Sequence, residues 1–270
     1  MLIRAAPMDR FLTPLLGLTR RLPRVRGARY VSRSISRAYK QLRGDRLEPI
    51  ETDALGFRLI LDARDYAQEC MFFSPQLFDY EELAFVRSYL RPGDTFLDVG
   101  AHHGFYSLVA SRAVGPEGRV LAFEASGKTF ASLSGNVDRN DARNVKAIHA
   151  GVSDKRETLR LGINPSNTGG NNFVLHDMVD GEDVECAPLL EFLQREGVTK
   201  VAIAKLDIEG FEQRVLAAFF RDAPISLHPR AIIMEVNPAP EYGGEAARNL
   251  LLAQGYTERW RGDLNVIMTR

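Results

Sequence analysis

The sequence predicts an α/β fold in which a mostly parallel, doubly wound sheet is closed by an antiparallel hairpin. From residue 94 onward, short apolar or β-branched runs alternate with helical patterns, an order typical of a parallel sheet with helices on both faces. The chain of 270 residues also has the length of one α/β domain of the larger kind. The last two runs, 256–260 and 264–268, lie close enough in sequence to form the closing hairpin.

The composition excludes several classes of protein. Hydrophobic residues make up 45% of the chain and charged residues 26%, as in an ordinary globular domain. Because no apolar run approaches ~18 residues, no transmembrane helix is predicted, and the N-terminus lacks the order of a secretory signal. Cys70 and Cys186 have neither metal-ligand nor disulfide spacing, which suits a reducing compartment. We therefore expect a cytoplasmic protein without a metal site.

Residues 1–48 form a basic N-terminal arm that the zero net charge of the chain conceals. The arm carries twelve Lys and Arg against three Asp and Glu, whereas the other 222 residues carry 23 against 32. One interpretation is a solvated arm or a segment that docks subunits of a homo-oligomer. The other is contact with anionic lipid on the inner face of a membrane, with phosphate-bearing glycan or with nucleic acid. An arginine-rich start also resembles an organelle transit peptide. The apolar residues that would support membrane contact are Phe11, Leu12, Leu15, Leu16 and Leu18.

Two further parts are expected behind the arm. Residues 49–93 are predicted to pack on the core as a hairpin and a leading helix, and the aromatic stretch 65–80 between them suits either the roof of a pocket or packing over that helix. Residues 94–270 are predicted to form the core domain, with an insertion at 155–187. The predicted core strands are 94–99, 119–124, 145–149, 201–207 and 231–236.

Carboxylates stand where these strands end, and a doubly wound sheet binds its ligands there. Asp98 ends the first strand, and Gly100 and Gly104 follow it at positions where we expect the backbone to approach a ligand closely. Glu124 ends the second strand, 20 residues beyond Gly104. A carboxylate there suits the two hydroxyls of a ribose. The turn lacks the Gly-x-Gly-x-x-Gly spacing of dinucleotide enzymes, which disfavours a dehydrogenase.

The fourth strand ends in a charged run, Lys205-Leu-Asp-Ile-Glu-Gly-Phe-Glu212. Lys205 and Asp207 are two residues apart and therefore lie on one face of the strand. Charges at the end of a buried strand are costly unless they are paired or face a ligand. Lys205 and Asp207 therefore either face a ligand, with Glu209 at the lip of the site, or form a structural pair that supports the turn.

These stretches together resemble the FkbM family of S-adenosylmethionine-dependent methyltransferases over roughly residues 80–240. The glycine turn is common to many methyltransferases, whereas the Lys-x-Asp-x-Glu-Gly-x-Glu run is more specific. The resemblance implies a Rossmann-like class I methyltransferase fold, S-adenosyl-L-methionine as cofactor, S-adenosyl-L-homocysteine as product, and O-methylation of a sugar, glycan or natural-product hydroxyl. The matching pieces are Asp98-Val-Gly-Ala-His-His-Gly-Phe-Tyr-Ser107, Val120-Leu-Ala-Phe-Glu124, Val152-Ser-Asp154, Lys205 to Glu212 and Ile232-Ile-Met-Glu235.

The resemblance also implies roles for individual residues. Glu124 would hold the ribose hydroxyls, Asp154 would lie near the adenine, and Asp98 would line the methionine and ribose part of the cofactor. The chain departs from the family at His102, where Asn is usual. The expected cofactor-binding residues are Asp98, Gly100, Ala101, Gly104, Glu124, Ala125, Ser153, Asp154 and Asp207. The expected acceptor-binding residues are Lys205, Asn167, Asn171, Asn172, His176 and Glu235.

Methylation of a hydroxyl requires a base that takes its proton as the new bond forms. Glu209 and Asp207 are the first candidates because the resemblance places them where acceptor and methyl group meet. His102 and His103 follow, since both stand in the glycine turn. Two other functions stay open: an RNA or other nucleic-acid methyltransferase that uses the basic arm, and a non-catalytic S-adenosylmethionine-binding scaffold.

Overall fold

The computed structural model describes residues 12–25, 27–162, 181–236 and 244–270. Ahead of the central sheet, the helices and strands are α1 Leu12–Thr19, α2 Ala28–Arg43, β1 Ile50–Ala54, β2 Phe57–Leu61, α3 Tyr66–Phe73 and α4 Tyr80–Tyr89. The next are β3 Thr95–Val99, α5 Phe105–Val114, β4 Arg119–Glu124, α6 Gly127–Arg139, β5 Val145–His149, β6 Gly151–Ser153 and β7 Glu157–Gly162. The chain ends with β8 Gly181–Pro188, α7 Leu189–Arg195, β9 Ile203–Leu206, α8 Glu212–Asp222, β10 Ala231–Glu235, α9 Gly244–Ala253, β11 Thr257–Arg261 and β12 Asn265–Thr269.

The central sheet of the described residues has the strand order β11-β12-β10-β9-β3-β4-β5. β12 runs antiparallel to both of its neighbours, and the other neighbouring strands are parallel. The chain moves outward from β3 to β5 and later returns to β9 on the opposite side of β3. The strand order therefore switches between β3 and β9, where such sheets bind ligands. The predicted doubly wound sheet with its antiparallel closing hairpin is confirmed.

Both faces of this sheet are covered, which explains why its strands are nearly continuous apolar runs. Alternate residues of β3 point to opposite faces. Phe96 packs in one apolar cluster with Leu108 of α5. Leu97 packs in a second cluster with Leu216 of α8. All four side chains are at most 2% exposed, so the sheet is held between two apolar layers.

The basic arm packs against the rest of the chain from Leu12 onward. Leu12 and Leu16 are buried in the same apolar cluster as the core helices. The Arg20 guanidinium donates to the Thr52 hydroxyl and to the Phe72 carbonyl oxygen, both at 2.8 Å. The arm is therefore not wholly solvated, because Leu12, Leu16 and Arg20 are used inside the fold.

The outer surface of the arm keeps some apolar side chains. Leu18, Tyr30 and Leu42 are exposed, and contact of this surface with a membrane or another subunit stays a prediction. Among the described residues, no helix combines the length and apolar character that crossing a bilayer requires. The division of the chain at residues 48 and 93 also stays a prediction.

A second, smaller sheet follows the fifth core strand. In it, β8 pairs in parallel with β6 and antiparallel with β7. This sheet contains the predicted extended piece 182–187 and the described part of the piece 157–163, which ends at Gly162. The predicted piece 172–175 lies outside the described residues. The described part of the insertion is therefore more regular than the sequence suggests, and it stands beside the ends of β4 and β5.

Candidate active site

A cavity opens at the carboxyl ends of β3, β4 and β9, beside the switch in strand order. The loops after β3 and β9 supply Gly100, Ala101 and Asp207 to its wall, and the last residue of β4 supplies Glu124. Lys205 of β9 contributes from within the strand. The cavity therefore lies where a doubly wound sheet binds its ligands, and it brings together predicted residues from three separate strand ends.

The two glycines of the turn after β3 are required by neighbouring protein atoms. Gly100 and Gly104 both have positive φ, +81° and +86°, which disfavours other residues. A Cβ on Gly100 would lie 1.9 Å from the Asp207 carbonyl oxygen, and one on Gly104 would lie 2.6 Å from Cδ1 of Leu133. Glycine is therefore required at both positions by contacts within the protein, before any approach of the backbone to a ligand is considered. Gly100 lets the loops after β3 and β9 pack together, and Gly104 lets α6 pack against the start of α5.

The backbone of this turn is fixed by the neighbouring strand β4. The N–H groups of Gly100 and Ala101 both donate to the Phe123 carbonyl oxygen, at 3.0 and 2.8 Å. The N–H of His102 donates to Oε2 of Glu124 at 2.8 Å. Because these donors are already used, the turn forms a rigid wall beside Glu124.

Glu124 is a buried carboxylate on the cavity wall, with 9% of the residue exposed. Its Oε1 accepts the N–H of Ser126 at 2.9 Å, and its Oε2 accepts that of His102. Burial raises the pKa of Glu124 to about 7, although these backbone hydrogen bonds oppose the shift. Each carboxylate oxygen keeps a further lone pair. The side chain can therefore accept two more hydrogen bonds from a ligand in the cavity.

Asp98 lies beneath the cavity and not on its wall. The side chain is fully buried, and its Oδ2 accepts the Ser107 hydroxyl at 2.6 Å. Burial raises the pKa of Asp98, while Lys205 and the Ser107 hydrogen bond oppose that shift. Its Oδ1 lies 3.9 Å from Nζ of Lys205. Its side chain therefore supports Lys205 from below, and a role in lining the cofactor site stays a prediction.

Lys205 is a buried cation held by two carboxylates and an aromatic ring. Nζ donates to Oδ2 of Asp207 at 2.9 Å and lies 4.9 Å from the centroid of the Tyr106 ring. Burial alone would lower the pKa of Lys205, but Asp207 and Asp98 outweigh that effect and raise it. Both interpretations of the pair apply, since Lys205 and Asp207 are bonded to each other and both lie on the cavity wall.

Glu209 and Glu235 lie close to Asp207 at the lip of the strand ends. One oxygen from each of the three carboxylates lies within 4.8 Å of the others. Burial, followed by the charges of Glu235 and Asp207, raises the pKa of Glu209 to about 8. Burial, followed by the charge of Asp207, raises the pKa of Glu235 to about 7. Such a set suits either protons that are shared between the carboxylates or a bound divalent cation. The sequence alone gives no sign of a cation site.

The loop that carries Glu209 is held from below by Glu212. The N–H groups of Ile208 and Gly210 donate to the two carboxylate oxygens of Glu212, at 2.8 and 3.0 Å. Glu209 itself has a positive φ of 51°, which is uncommon outside glycine. The last acid of the Lys-x-Asp-x-Glu-Gly-x-Glu run is therefore structural, because it fixes the backbone that presents Asp207 and Glu209.

His102 and His103 form a neutral pair on the cavity wall. Their Nδ1 atoms lie 2.7 Å apart, so one ring donates the proton that the other accepts. Burial lowers the pKa of His102, and burial followed by the neighbouring His102 lowers that of His103 well below its ordinary value. Nε2 of His103 is buried and has no hydrogen-bond partner among the described residues. Both residues line the cavity.

Comparison with models of protein families identifies the family to which this chain belongs. Residues 98–258 match the model of the methyltransferase FkbM domain, which is more than half of the chain. The chain belongs to the FkbM methyltransferase family. The resemblance seen in the motifs is therefore confirmed, and the methyl donor of this family is S-adenosylmethionine.

Individual relatives are more distant than the family match. The chain is 29% identical to the 31-O-demethyl-FK506 methyltransferase FkbM of Streptomyces tacrolimicus over 215 residues, which is 67% of this chain and 81% of that protein. It is 28% identical to methyltransferase sdnD of Sordaria araneosa over 203 residues, 63% of this chain and 74% of that one. The crystal structure of an FkbM methyltransferase from Methylobacillus flagellatus superposes with a TM-score of 0.43 at 15% identity, over 76% of this chain and 55% of that one. The family assignment does not depend on that superposition.

The cavity of this FkbM methyltransferase has the chemistry that S-adenosylmethionine requires. Glu124 offers two oxygens, already oriented by backbone N–H groups, to a ribose diol. The excess of carboxylates over Lys205 suits a donor that carries a positively charged sulfur. Ala125 and Ala101 add small apolar contacts to the wall. The residues present therefore fit the donor, although the assignment of each residue stays a prediction.

Two expected cofactor-binding residues, Ser153 and Asp154, make other contacts in the structure. The Ser153 hydroxyl is buried and donates to Oε1 of Glu157 at 2.6 Å. Asp154 forms a salt bridge with Arg214 of α8. Burial would raise the pKa of Asp154, but the hydrogen bond and charge of Arg214 outweigh it and lower the pKa. The wall at this end comes from the residues just before them, including Gly151. Cofactor binding stays a prediction for both residues, and a position beside the adenine stays one for Asp154.

The predicted acceptor-binding residues of the insertion cannot be placed. Asn167, Asn171, Asn172 and His176 lie outside the described residues. The other predicted wall, the aromatic stretch 65–80, contributes Ala67 and Phe78 to the cavity. Of the two remaining residues predicted to bind the acceptor, Lys205 lies on the cavity wall and Glu235 lies at its lip beside Asp207.

Two wall residues with polar side chains are absent from the set predicted by sequence. Asp79 stands at the start of α4 and Tyr106 in the first turn of α5, and the Tyr106 hydroxyl donates to Oδ2 of Asp79 at 3.0 Å. The position of Asp79 at the end of the aromatic stretch was a partial signal for it. The inward direction of its side chain depends on a positive φ of 38°, which no sequence pattern reveals.

Proposed function

We propose that this protein is an S-adenosylmethionine-dependent O-methyltransferase that moves a methyl group to a hydroxyl of a sugar, a glycan or a glycosylated natural product. The observation that supports this most is the cavity itself. It combines a ribose-type carboxylate, Glu124, with further acidic groups suited to take a hydroxyl proton. The name of the Streptomyces relative, a 31-O-demethyl-FK506 methyltransferase, specifies an oxygen acceptor on a natural product.

The chemistry asked of the protein is mainly alignment and the exclusion of water. S-adenosylmethionine supplies a methyl group that is already activated by the positive charge on its sulfur. Glu124 would orient the ribose through its carboxylate. Lys205, fixed between Asp98 and Asp207, would hold the strand end and keep Asp207 in one direction. His102 and His103 would offer ring nitrogens to the bound molecules.

A base must also accept the proton of the acceptor hydroxyl, which contributes about 10²–10⁴-fold to such reactions. Glu209 and Asp207 are the candidates that the sequence favours, followed by His102 and His103. Asp207 lies on the wall and Glu209 at the lip beside it. All four therefore lie in or next to the cavity.

The alternative functions gain no support from the described residues. A nucleic-acid methyltransferase would use the basic arm, yet Arg20 is bonded within the fold. A non-catalytic scaffold would have no reason to keep acidic groups in the cavity. The cytoplasmic location and the small-molecule or glycan acceptor remain parts of the proposal.

The proposal is tested by transfer to defined acceptors. The purified chain is incubated with methyl-labelled S-adenosylmethionine and a panel of methyl pyranosides and glycosylated macrolides. We expect S-adenosylhomocysteine to form with at least one of them, and NMR of the product to show the label on oxygen. Label on nitrogen or carbon, or donor binding without turnover on any acceptor, would contradict the proposed O-methylation.

A further inference from the structure

We infer that Asp79 is the base that receives the acceptor's hydroxyl proton in this enzyme. The inference rests on the proposed O-methylation, and it assigns the catalytic proton transfer to a residue outside the FkbM sequence motifs. It follows from a comparison of the carboxylates on the cavity wall, from the surroundings of Asp79, and from the origin of Asp79 in the chain.

Three carboxylates of the described residues lie on the cavity wall: Asp79, Glu124 and Asp207. Glu124 already accepts one backbone N–H on each oxygen and is positioned for a diol. Asp207 is bonded to Lys205 at 2.9 Å, so a proton taken there would have to disrupt an ion pair. Asp79 has neither restriction. Glu209, the first candidate from sequence, lies at the lip and not on this wall.

The hydrogen bonding of Asp79 leaves one oxygen for the acceptor. Its Oδ2 accepts the Tyr106 hydroxyl at 3.0 Å, whereas its Oδ1 accepts no hydrogen bond within the described part of the chain. Burial raises the pKa of Tyr106 well above its ordinary value, so the hydroxyl stays protonated and keeps donating. Tyr106 therefore fixes the carboxyl group while Oδ1 stays available in the cavity.

The charges around Asp79 suit a base that works near neutral pH. Burial, followed by the charge of Glu82 on the same helix, raises the pKa of Asp79 to about 6. Asp207 also raises it, and the Tyr106 hydrogen bond and Lys205 lower it. Asp79 is thus ionised at neutral pH and yet more basic than an ordinary aspartate, which favours proton transfer. In the transfer, the acceptor oxygen bonds to the methyl carbon, the carbon–sulfur electron pair goes to sulfur, and the hydroxyl proton goes to Oδ1.

The position of Asp79 in the chain agrees with an acceptor-side role. The family match begins at residue 98, and Glu124 and Asp207 lie inside it. Asp79 precedes it, at the end of the aromatic stretch that contributes Phe78 and Ala67 to the wall. The donor is common to the whole family, so a residue supplied from outside the matched region suits the acceptor better than the donor.

The test compares Asp79→Asn with wild type on an acceptor from the methyl pyranoside panel. Asparagine tolerates positive φ and can still accept from Tyr106, so the fold is expected to persist. We expect kcat to fall by about 10²–10⁴-fold, while the affinity for S-adenosylmethionine by calorimetry changes less than about threefold. In wild type, kcat should fall as pH drops below about 6, because Asp79 is then protonated. Glu81→Gln, an exposed acid on the same helix, should leave kcat and donor affinity unchanged.

A second measurement needs no acceptor. NMR of carboxyl-labelled aspartate should show a titration near pH 6 that is lost in Asp79→Asn, and Tyr106→Phe should move it to higher pH. Full turnover in Asp79→Asn, or a tenfold loss of donor affinity, overturns the inference. Absence of the titration in wild type also overturns it. If wild type methylates nitrogen or carbon only, the proposed function fails, whereas oxygen methylation that is unaffected by Asp79→Asn removes only the base assignment.

Discussion

At the scale of single residues, Glu124 connects the fold to the donor. Its two oxygens hold the backbone of the loops after β3 and β4, and the same oxygens face the cavity. Glu124→Gln keeps one acceptor oxygen and the side-chain size but removes the charge. We expect S-adenosylmethionine affinity to fall by about 1.5–3 kcal/mol, the range for hydrogen bonds to charged groups.

Calorimetry on folded protein measures this change directly. Glu185→Gln is the matched control, since Glu185 is exposed on β8 and does not lie on the cavity wall. Its donor affinity should equal that of wild type. If Glu124→Gln also binds the donor as tightly as wild type, the ribose is held by some other group.

Gly100 gives a second prediction at the residue scale. Gly100→Ala would place a Cβ 1.9 Å from the Asp207 carbonyl oxygen at a φ of +81°. Gly93→Ala has a similar φ of +84° but nothing within 4 Å, so it carries only the backbone strain of about 1–2 kcal/mol. In urea unfolding, Gly100→Ala should cost about 1–3 kcal/mol more than Gly93→Ala, because overpacking is added. Equal costs would mean that the two loops are not in contact.

At the scale of elements, the sequence predicts the core strands well and their surroundings poorly. The bounds of β4 and β5 agree with the prediction, because apolar runs there are ended by Gly, Asn or charged residues. β6 was not predicted, since its three residues carry no periodic pattern. The burial of Leu12 was missed because the surrounding arginines dominate the composition of the arm. The direction of Asp79 was missed because it depends on backbone geometry.

The packing of α1 on the core can be tested with one buried and one exposed leucine. Leu16 is 4% exposed and lies in the core cluster, whereas Leu18 is 55% exposed. Leu16→Ala should reduce the free energy of unfolding by about 2–5 kcal/mol, the usual cost for a buried leucine. Leu18→Ala should change it by less than about 0.5 kcal/mol. Similar small effects for both would show that α1 is detached in solution.

At the scale of the whole molecule, the buried acids of the site make stability depend on pH. Burial raises the pKa of Glu124 and that of Glu212 to about 7, above the value of about 4.3 in an unfolded chain. The folded state therefore binds more protons, and its stability falls as pH rises through the folded pKa. Between pH 6.5 and 8.5 these two carboxylates should lower the free energy of unfolding by about 1–2 kcal/mol, and Glu209 and Glu235, whose pKa values are also raised, act in the same direction.

Urea unfolding of the ligand-free protein at the two pH values measures this fall. His102 and His103, whose pKa values burial lowers, oppose this fall near pH 6.5, because there the unfolded state binds more protons at these two residues than the folded state does. Glu124→Gln should show a smaller fall than wild type, since one carboxylate with a raised pKa is then missing while Glu212, Glu209 and Glu235 still titrate. A stability that rises over this range would contradict the burial of the two carboxylates.

The central claim is that this fold places a methyl donor between Glu124 and an acidic acceptor side. The most direct measurement is a crystal structure of the protein with S-adenosylhomocysteine. The account predicts both ribose hydroxyls within about 2.7–3.0 Å of the Glu124 carboxylate, with the sulfur directed toward Asp79 and Asp207. A ribose bound to any other side chain, or a sulfur directed away from these two residues, would contradict it.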